Sequence, residues 1–295
     1  MNAFPRYFYA FSAALLAVSM GLSIASAENP RKKNPTSKFY VADVEGSAQI
    51  NTGEKIEDLT NKSVHSAQGT IVETKKDATN AMVFSNGTGI FFDEDTKLEV
   101  KRFVQEPFTP NRTDMEMEPS ISQTNSMLSR GTIGLCTSKM VAGSTMTYRT
   151  QHGSVAIRGR KVVIETSDKQ TTVSLIEGDV TVRGGDYDMG GQNLRSGQQA
   201  VITPGAFGAP CSIQIQAIPA DTMGALDKKV TMACMAKSTV YFETSQRKND
   251  NATADNRSPS PFDEMADEIV AIPVAPADLP VQFTVSPSRI GNKSQ

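Results

Sequence analysis

The chain of 295 residues has no tryptophan, only 3 cysteines and 2 histidines, and no excess of one charge, with 30 basic against 32 acidic side chains. Each shortage removes a class of protein. Three cysteines cannot form a disulfide framework, because one is always left over, and no two stand at the short spacing of a zinc site. A net charge of -2 offers no basic stripe to a polyanionic backbone, so nucleic acid is not an expected partner. With 38% hydrophobic and 21% charged residues, the composition is that of one or two domains held together by buried apolar surface.

What is present begins with an address. Arg6 precedes an almost uncharged run from Tyr7 to Ile24, and Ala25-Ser26-Ala27 then supplies the small-x-small triplet of a signal-peptidase site. Residues 1–27 read as a secretory signal peptide, with Pro30 stopping any helix beyond it. The apolar run also approaches the roughly 18 residues that span a bilayer, so a retained anchor stands as the alternative. After cleavage the chain is not expected to be an integral membrane protein. The expected location is exported, either periplasmic or associated with the cell surface. Residues 28–38 are polar and basic and read as an extended arm.

From residue 39 to 205 the pattern is all-β. Short alternating or β-branched runs are separated by turn residues at the spacing of sandwiches and rolls. They are Phe39–Val44, Gly69–Glu73, Ala81–Phe84, Gly89–Phe92, Lys97–Lys101, Gly131–Leu135, Thr145–Arg149, Ser154–Arg158, Lys161–Thr166, Thr171–Ile176, Val180–Arg183 and Gln199–Thr203. Asn86-Gly87 offers a hairpin turn. Residues 103–129 carry three prolines and read as a long polar connection. In residues 206–243, Met223, Leu226, Val230, Ala233 and Cys234 recur at helical spacing, with Asp221 early and Lys237 late, which predicts one added C-terminal helix over 219–237 followed by a strand at 240–243. Residues 244–295 are rich in Ser, Pro, Asn and Asp and read as a disordered tail.

In an oxidising envelope a disulfide is permitted, and Cys211 with Cys234 encloses the shortest loop; three buried thiols are the alternative.

The segment 151–205 resembles the FecR domain family. Val155-Ala156-Ile157-Arg158-Gly159, then Thr172-Val173-Ser174-Leu175-Ile176-Glu177-Gly178-Asp179-Val180-Thr181-Val182, then Leu194-Arg195-Ser196-Gly197-Gln198 occupy the places of its strand–turn–strand pattern. Val44-Glu45-Gly46, Gly69-Thr70 and the run 81–92 extend the likeness over 39–205. The resemblance implies the fold and a role in envelope interactions. Familiar members relay a signal from an outer-membrane receptor to a sigma factor through an N-terminal cytoplasmic segment. Only five residues precede Arg6, so no such segment is expected ahead of the leader. Arg160 replaces the threonine that follows the glycine in the common pattern, and an arginine cannot carry out the acyl shift a hydroxyl would allow.

Catalysis would require His65 or His152 as base and Ser154 or Cys136 as nucleophile, in no recognisable elbow, so no enzyme and no cofactor are expected. Residues 184–191 and Asp93-Glu94-Asp95 read as turns rather than phosphate or calcium sites. The densest basic cluster is Arg158, Arg160 and Lys161, with Arg158 and Arg160 expected on one strand face. In the tail, Phe262, Met265 and Ile269 alternate with acidic residues, as in segments that fold on binding. These two groups are the candidate partner-binding sites. The expected function is an exported, non-enzymatic binding or scaffold module whose partner is an envelope protein or a cell-wall polymer. A membrane-linked regulator in a receptor-to-sigma-factor pathway is the alternative.

Overall fold

The computed structural model describes residues 37–108, 116–185, 188, 190–205, 209–245 and 268–274. The signal peptide, nearly all of the polar arm, and Phe262 and Met265 lie outside the described residues.

Among the described residues, nineteen strands and one helix follow in order. They are β1 (Lys38–Glu45), β2 (Ala48–Asn51), β3 (Ile56–Asp58), β4 (Val64–Ser66), β5 (Ile71–Thr74), β6 (Thr79–Phe84), β7 (Gly89–Phe92), β8 (Lys97–Gln105), β9 (Ser122–Cys136) and β10 (Thr145–Arg149). There follow β11 (Gly153–Ile157), β12 (Lys161–Thr166), β13 (Thr171–Glu177), β14 (Val180–Gly184), β15 (Gln192–Leu194), β16 (Gln198–Thr203) and β17 (Ser212–Ala217). Helix α1 (Ala220–Lys237), β18 (Val240–Ser245) and β19 (Glu268–Pro273) complete the set.

The first seventeen strands form one hydrogen-bonded ladder that folds into two layers at β9. One layer runs β3-β2-β5-β8-β9-β10-β11-β14-β15, using residues 122–130 of β9. The other runs β4-β1-β6-β7-β9-β12-β13-β16-β17, using residues 131–136. The strand changes layer at Gly131, where φ is +88° and a Cβ would lie 2.3 Å from Thr96 Oγ1. Such a corner needs a glycine. The expected all-β sandwich with one added helix is therefore the fold.

The two layers bury one core between them, with Phe39, Phe84, Phe92 and Leu135 from the second layer and Leu98, Leu128, Tyr148 and Val182 from the first. A second cluster lies on the far side of the second layer, where Tyr40, Ala81, Val83, Phe91 and Cys136 meet Ala233 and Ala236 of α1, Val240 and Phe242 of β18 and Ile269 of β19. The second layer is thus covered on both faces, which explains the nearly continuous apolar runs of β6 and β7. Helix α1 lies close because its buried stripe is small. A Cβ at Gly89 or Gly134 would collide with the helix backbone at Ala233 or Lys229.

Two expectations are overturned here. The polar connection placed at 103–129 is strand at both ends, with β8 running to Gln105 and β9 beginning at Ser122. Its inward positions are Ser122, Thr124 and Ser126, all buried, so alternation exists without hydrophobicity to reveal it. The tail expected to be disordered over 244–295 contributes β19, which pairs antiparallel with β18 and buries Ile269 to 1% exposure. Ile269 is therefore a packing residue rather than a free docking residue.

Candidate binding face

The disulfide expected between Cys211 and Cys234 does not form. Cys136 of β9 is bonded to Cys234 of α1, with Cα atoms 5.1 Å apart and a sequence separation of 98, and Cys211 is free. Loop-closure economy favoured the shorter loop, but packing α1 across β9 decides which sulfurs meet. The bridge also removes Cys136 as a nucleophile.

The basic cluster is redistributed. Arg158 and Arg160 sit in the turn between β11 and β12 rather than on a strand face. Arg160 is paired with Glu116 and, at 3.6 Å, with Glu177, while Lys161 reaches Glu177 at 3.2 Å. Two of the three cations are locally neutralised, so the cluster is not a free cationic patch. Arg158 remains exposed.

Acidic turns are likewise engaged. Asp93 pairs with Lys229 of α1, Asp95 with Arg130 at 2.8 Å, and Glu94 accepts the Asp77 N–H. Asp188 accepts the N–H groups of Gly191, Gly184 and Gly190, which hold its carboxyl below the usual range. Among the described residues no group of three His, Cys, Asp or Glu side chains converges as a metal site would require. His65 bonds the Ser63 hydroxyl and stacks on Phe39. His152 is buried, with Nδ1 3.0 Å from Thr171 Oγ1, and that hydroxyl is bonded to Thr150 and Thr166. Ser154 faces the other way.

Where Ser154 points is the feature that sequence reading missed. On β9, β10, β11 and β14 the buried side chains alternate with a solvent-facing set. Register places Met127 beside Arg149, Arg149 beside Ser154, and Ser154 beside Arg183. These four side chains therefore form one row across four strands on the outer face of the first layer. They line a depression of about 510 Å³ together with Gln151 and Asp188. Among the described residues neither Arg149 nor Arg183 has a carboxylate within ion-pair range. The next row carries Asn125, Thr147, Ala156, Thr181 and Asn193. No single stretch of sequence contains this site, because its members lie 56 positions apart and only strand register joins them.

At the opposite end a buried carboxylate organises the 116–122 segment. Glu118 is 5% exposed, takes hydrogen bonds from the Ser122 hydroxyl and the Val141 N–H, and is pushed up by burial. Ser122 also accepts from Asn86 at 3.1 Å, tying this segment to the β6–β7 turn.

These features define a two-layered β-sandwich with a helix packed on one layer and the other presenting an open polar face that carries two exposed arginines, Arg149 and Arg183. Residues 70–181 match the family model described as FecR protein. The matched stretch runs from the turn before β5 into β14 and contains Arg149 and Ser154 but not Arg183. No curated protein matches the chain. Two solved structures of a candidate anti-sigma factor from Parabacteroides distasonis ATCC 8503, at 2.50 and 1.65 Å resolution, are similar at 14% identity and a TM-score of 0.38. They cover 52% of this chain, which in turn spans 62% and 63% of theirs. Among the described residues no helix is long and apolar enough to cross a membrane.

Proposed function

We propose that the protein is an exported, non-enzymatic FecR-type binding module of the cell envelope, and that it captures its partner on the open face of the first layer. The observation that carries this reading is the Arg149–Ser154–Arg183 row. Two exposed arginines with no described carboxylate within ion-pair range, on a sheet face that no described element covers, present hydrogen-bond donors to an incoming anion. The signal-peptide pattern over 1–27 supports export. Interaction is also the kind of role that a FecR domain brings.

A second reading is favoured by the family match over 70–181: a membrane-linked regulator in a receptor-to-sigma-factor type of pathway. Affinity capture from a native envelope extract separates the two, with the full chain as bait, bound proteins identified by mass spectrometry and bound glycan by sugar analysis. Recovery of wall glycan or of a structural envelope protein supports the module. Stoichiometric recovery of an outer-membrane receptor, with the leader still attached to the purified chain, would replace it with the regulator. Recovery of neither overturns both.

A further inference from the structure

We propose that the Arg149–Ser154–Arg183 notch binds an acidic polysaccharide, a saccharide chain bearing carboxylate or phosphate groups, laid across the strands of the first layer. This rests on the reading of the protein as an envelope binding module and assigns it a ligand class and a site.

Charge is the first argument. Arg149 and Arg183 are exposed and, among the described residues, neither has a carboxylate within ion-pair range. Asp188 also lines the notch and interacts with the charge of Arg183, but its carboxylate accepts three backbone N–H groups and offsets only one of the two cations. Guanidinium groups hold carboxylate and phosphate through two parallel N–H bonds, so each is equipped for one acidic group of a ligand.

Spacing is the second. Arg149 on β10 and Arg183 on β14 are separated only by Ser154 on β11. Neighbouring strands lie roughly 5 Å apart, which places the two rows of guanidinium attachment about 10 Å apart. One pyranose ring has nearly the length of one strand spacing. A saccharide crossing the strands therefore sets one sugar over each, with acidic groups over the two arginines and a neutral sugar over the small Ser154 hydroxyl. In the adjacent row, interrupted at Ala156, Thr147 supplies a hydroxyl and Asn193, which accepts from the Thr181 hydroxyl at 2.6 Å, supplies an amide N–H donor for sugar hydroxyls.

The alternatives fit less well. An acidic peptide docking on a sheet would pair with a free strand edge, but β10, β11 and β14 are interior strands whose backbone groups are already bonded to neighbours. Among the described residues the notch also has one apolar lining side chain, Met127, and no aromatic to seat peptide side chains.

The test measures binding of the purified protein to oligogalacturonate as the carboxylated probe and to phosphorylated mannan oligosaccharide as the phosphorylated one. A neutral maltooligosaccharide and poly-glutamate of matched length serve as comparisons. Binding to either acidic saccharide is expected, weakened by salt, and the stronger arm identifies the acidic group. Arg149→Gln and Arg183→Gln should each weaken it about tenfold, as loss of one charge-assisted hydrogen bond does. Both side chains are exposed, so the thermal transition should stay in place. Equal binding of the maltooligosaccharide, tighter binding of poly-glutamate, or acidic-saccharide binding unchanged in the double variant would each overturn the proposal. Envelope capture that persists in the double variant overturns this site while leaving the module reading intact. Failure of the wild type to capture anything overturns that reading, and the oligosaccharide titration still decides this one.

Discussion

Gly178 leans on Gly159 so closely that a Cβ on Gly178 would lie 2.3 Å from the Gly159 Cα. The two glycines belong to different turns, the β11–β12 turn and the β13–β14 turn, and Arg158 N–H and Arg160 N–H reach across to Asp179 O and Glu177 O. Both glycines are elements of the FecR-like pattern, and this contact is the physical reason a side chain has no room at either. Gly178 also holds φ at +111°.

Gly178→Ala should therefore lower stability by about 2 to 4 kcal/mol, combining backbone strain with a backbone collision. Gly197→Ala is the matched comparison: φ is +84° but nothing lies within 4 Å of the added carbon, so its cost should be only about 1 kcal/mol. Denaturant unfolding of both variants measures the difference. Equal losses would show that the turns do not need the close approach.

Removal of the Cys136–Cys234 bridge should cost about 2 to 4 kcal/mol, because it opens a long loop in the unfolded chain and frees α1 from β9. Cys211→Ser should be nearly silent. Non-reducing peptide mapping gives the direct readout, and a Cys211–Cys234 peptide would contradict the pairing.

Glu118 makes stability depend on pH in a defined direction. Burial raises its carboxyl from the ordinary value, against hydrogen bonds from Ser122, Ser144 and Val141 that lower it. A carboxyl raised in the fold binds its proton more tightly there than in the unfolded chain. Its contribution is complete below the unfolded value and is lost as pH rises through the folded one. The stability difference between wild type and Glu118→Gln should therefore shift against the wild type as pH rises above the ordinary carboxyl value of about 4. A pH-independent difference would mean that burial does not govern this group.

Ile269→Ala should destabilise by about 2 to 4 kcal/mol, as expected for a fully buried side chain in the cluster beneath β18 and β19. Truncation after residue 267 should do at least as much, and truncation after residue 274 should leave the unfolding midpoint unchanged. Loss of the second construction alone would place the stabilising contacts farther along the chain.

Local chemistry was enough to read most strands of the sandwich from the sequence. Lys161–Thr166 lies in a β-branched run bounded by turn residues, and the small-residue helix ends at Lys237 as its spacing and charge placement predict. Polar strands were illegible for the converse reason: Ser122, Thr124 and Ser126 face inward but are not apolar, and Ser212, Gln214 and Gln216 alternate with Ile213 and Ile215 on an edge strand too polar to stand out.

Sequence alone determined the strand-and-turn alternation, the helix and the FecR likeness, because these depend on residues near one another in the chain. Only the tertiary structure decided which cysteines pair, which arginines are neutralised and which remain open. Those outcomes depend on strand register and on α1 lying across β9, where contacts between distant residues outweigh the loop-closure economy that sequence separation measures.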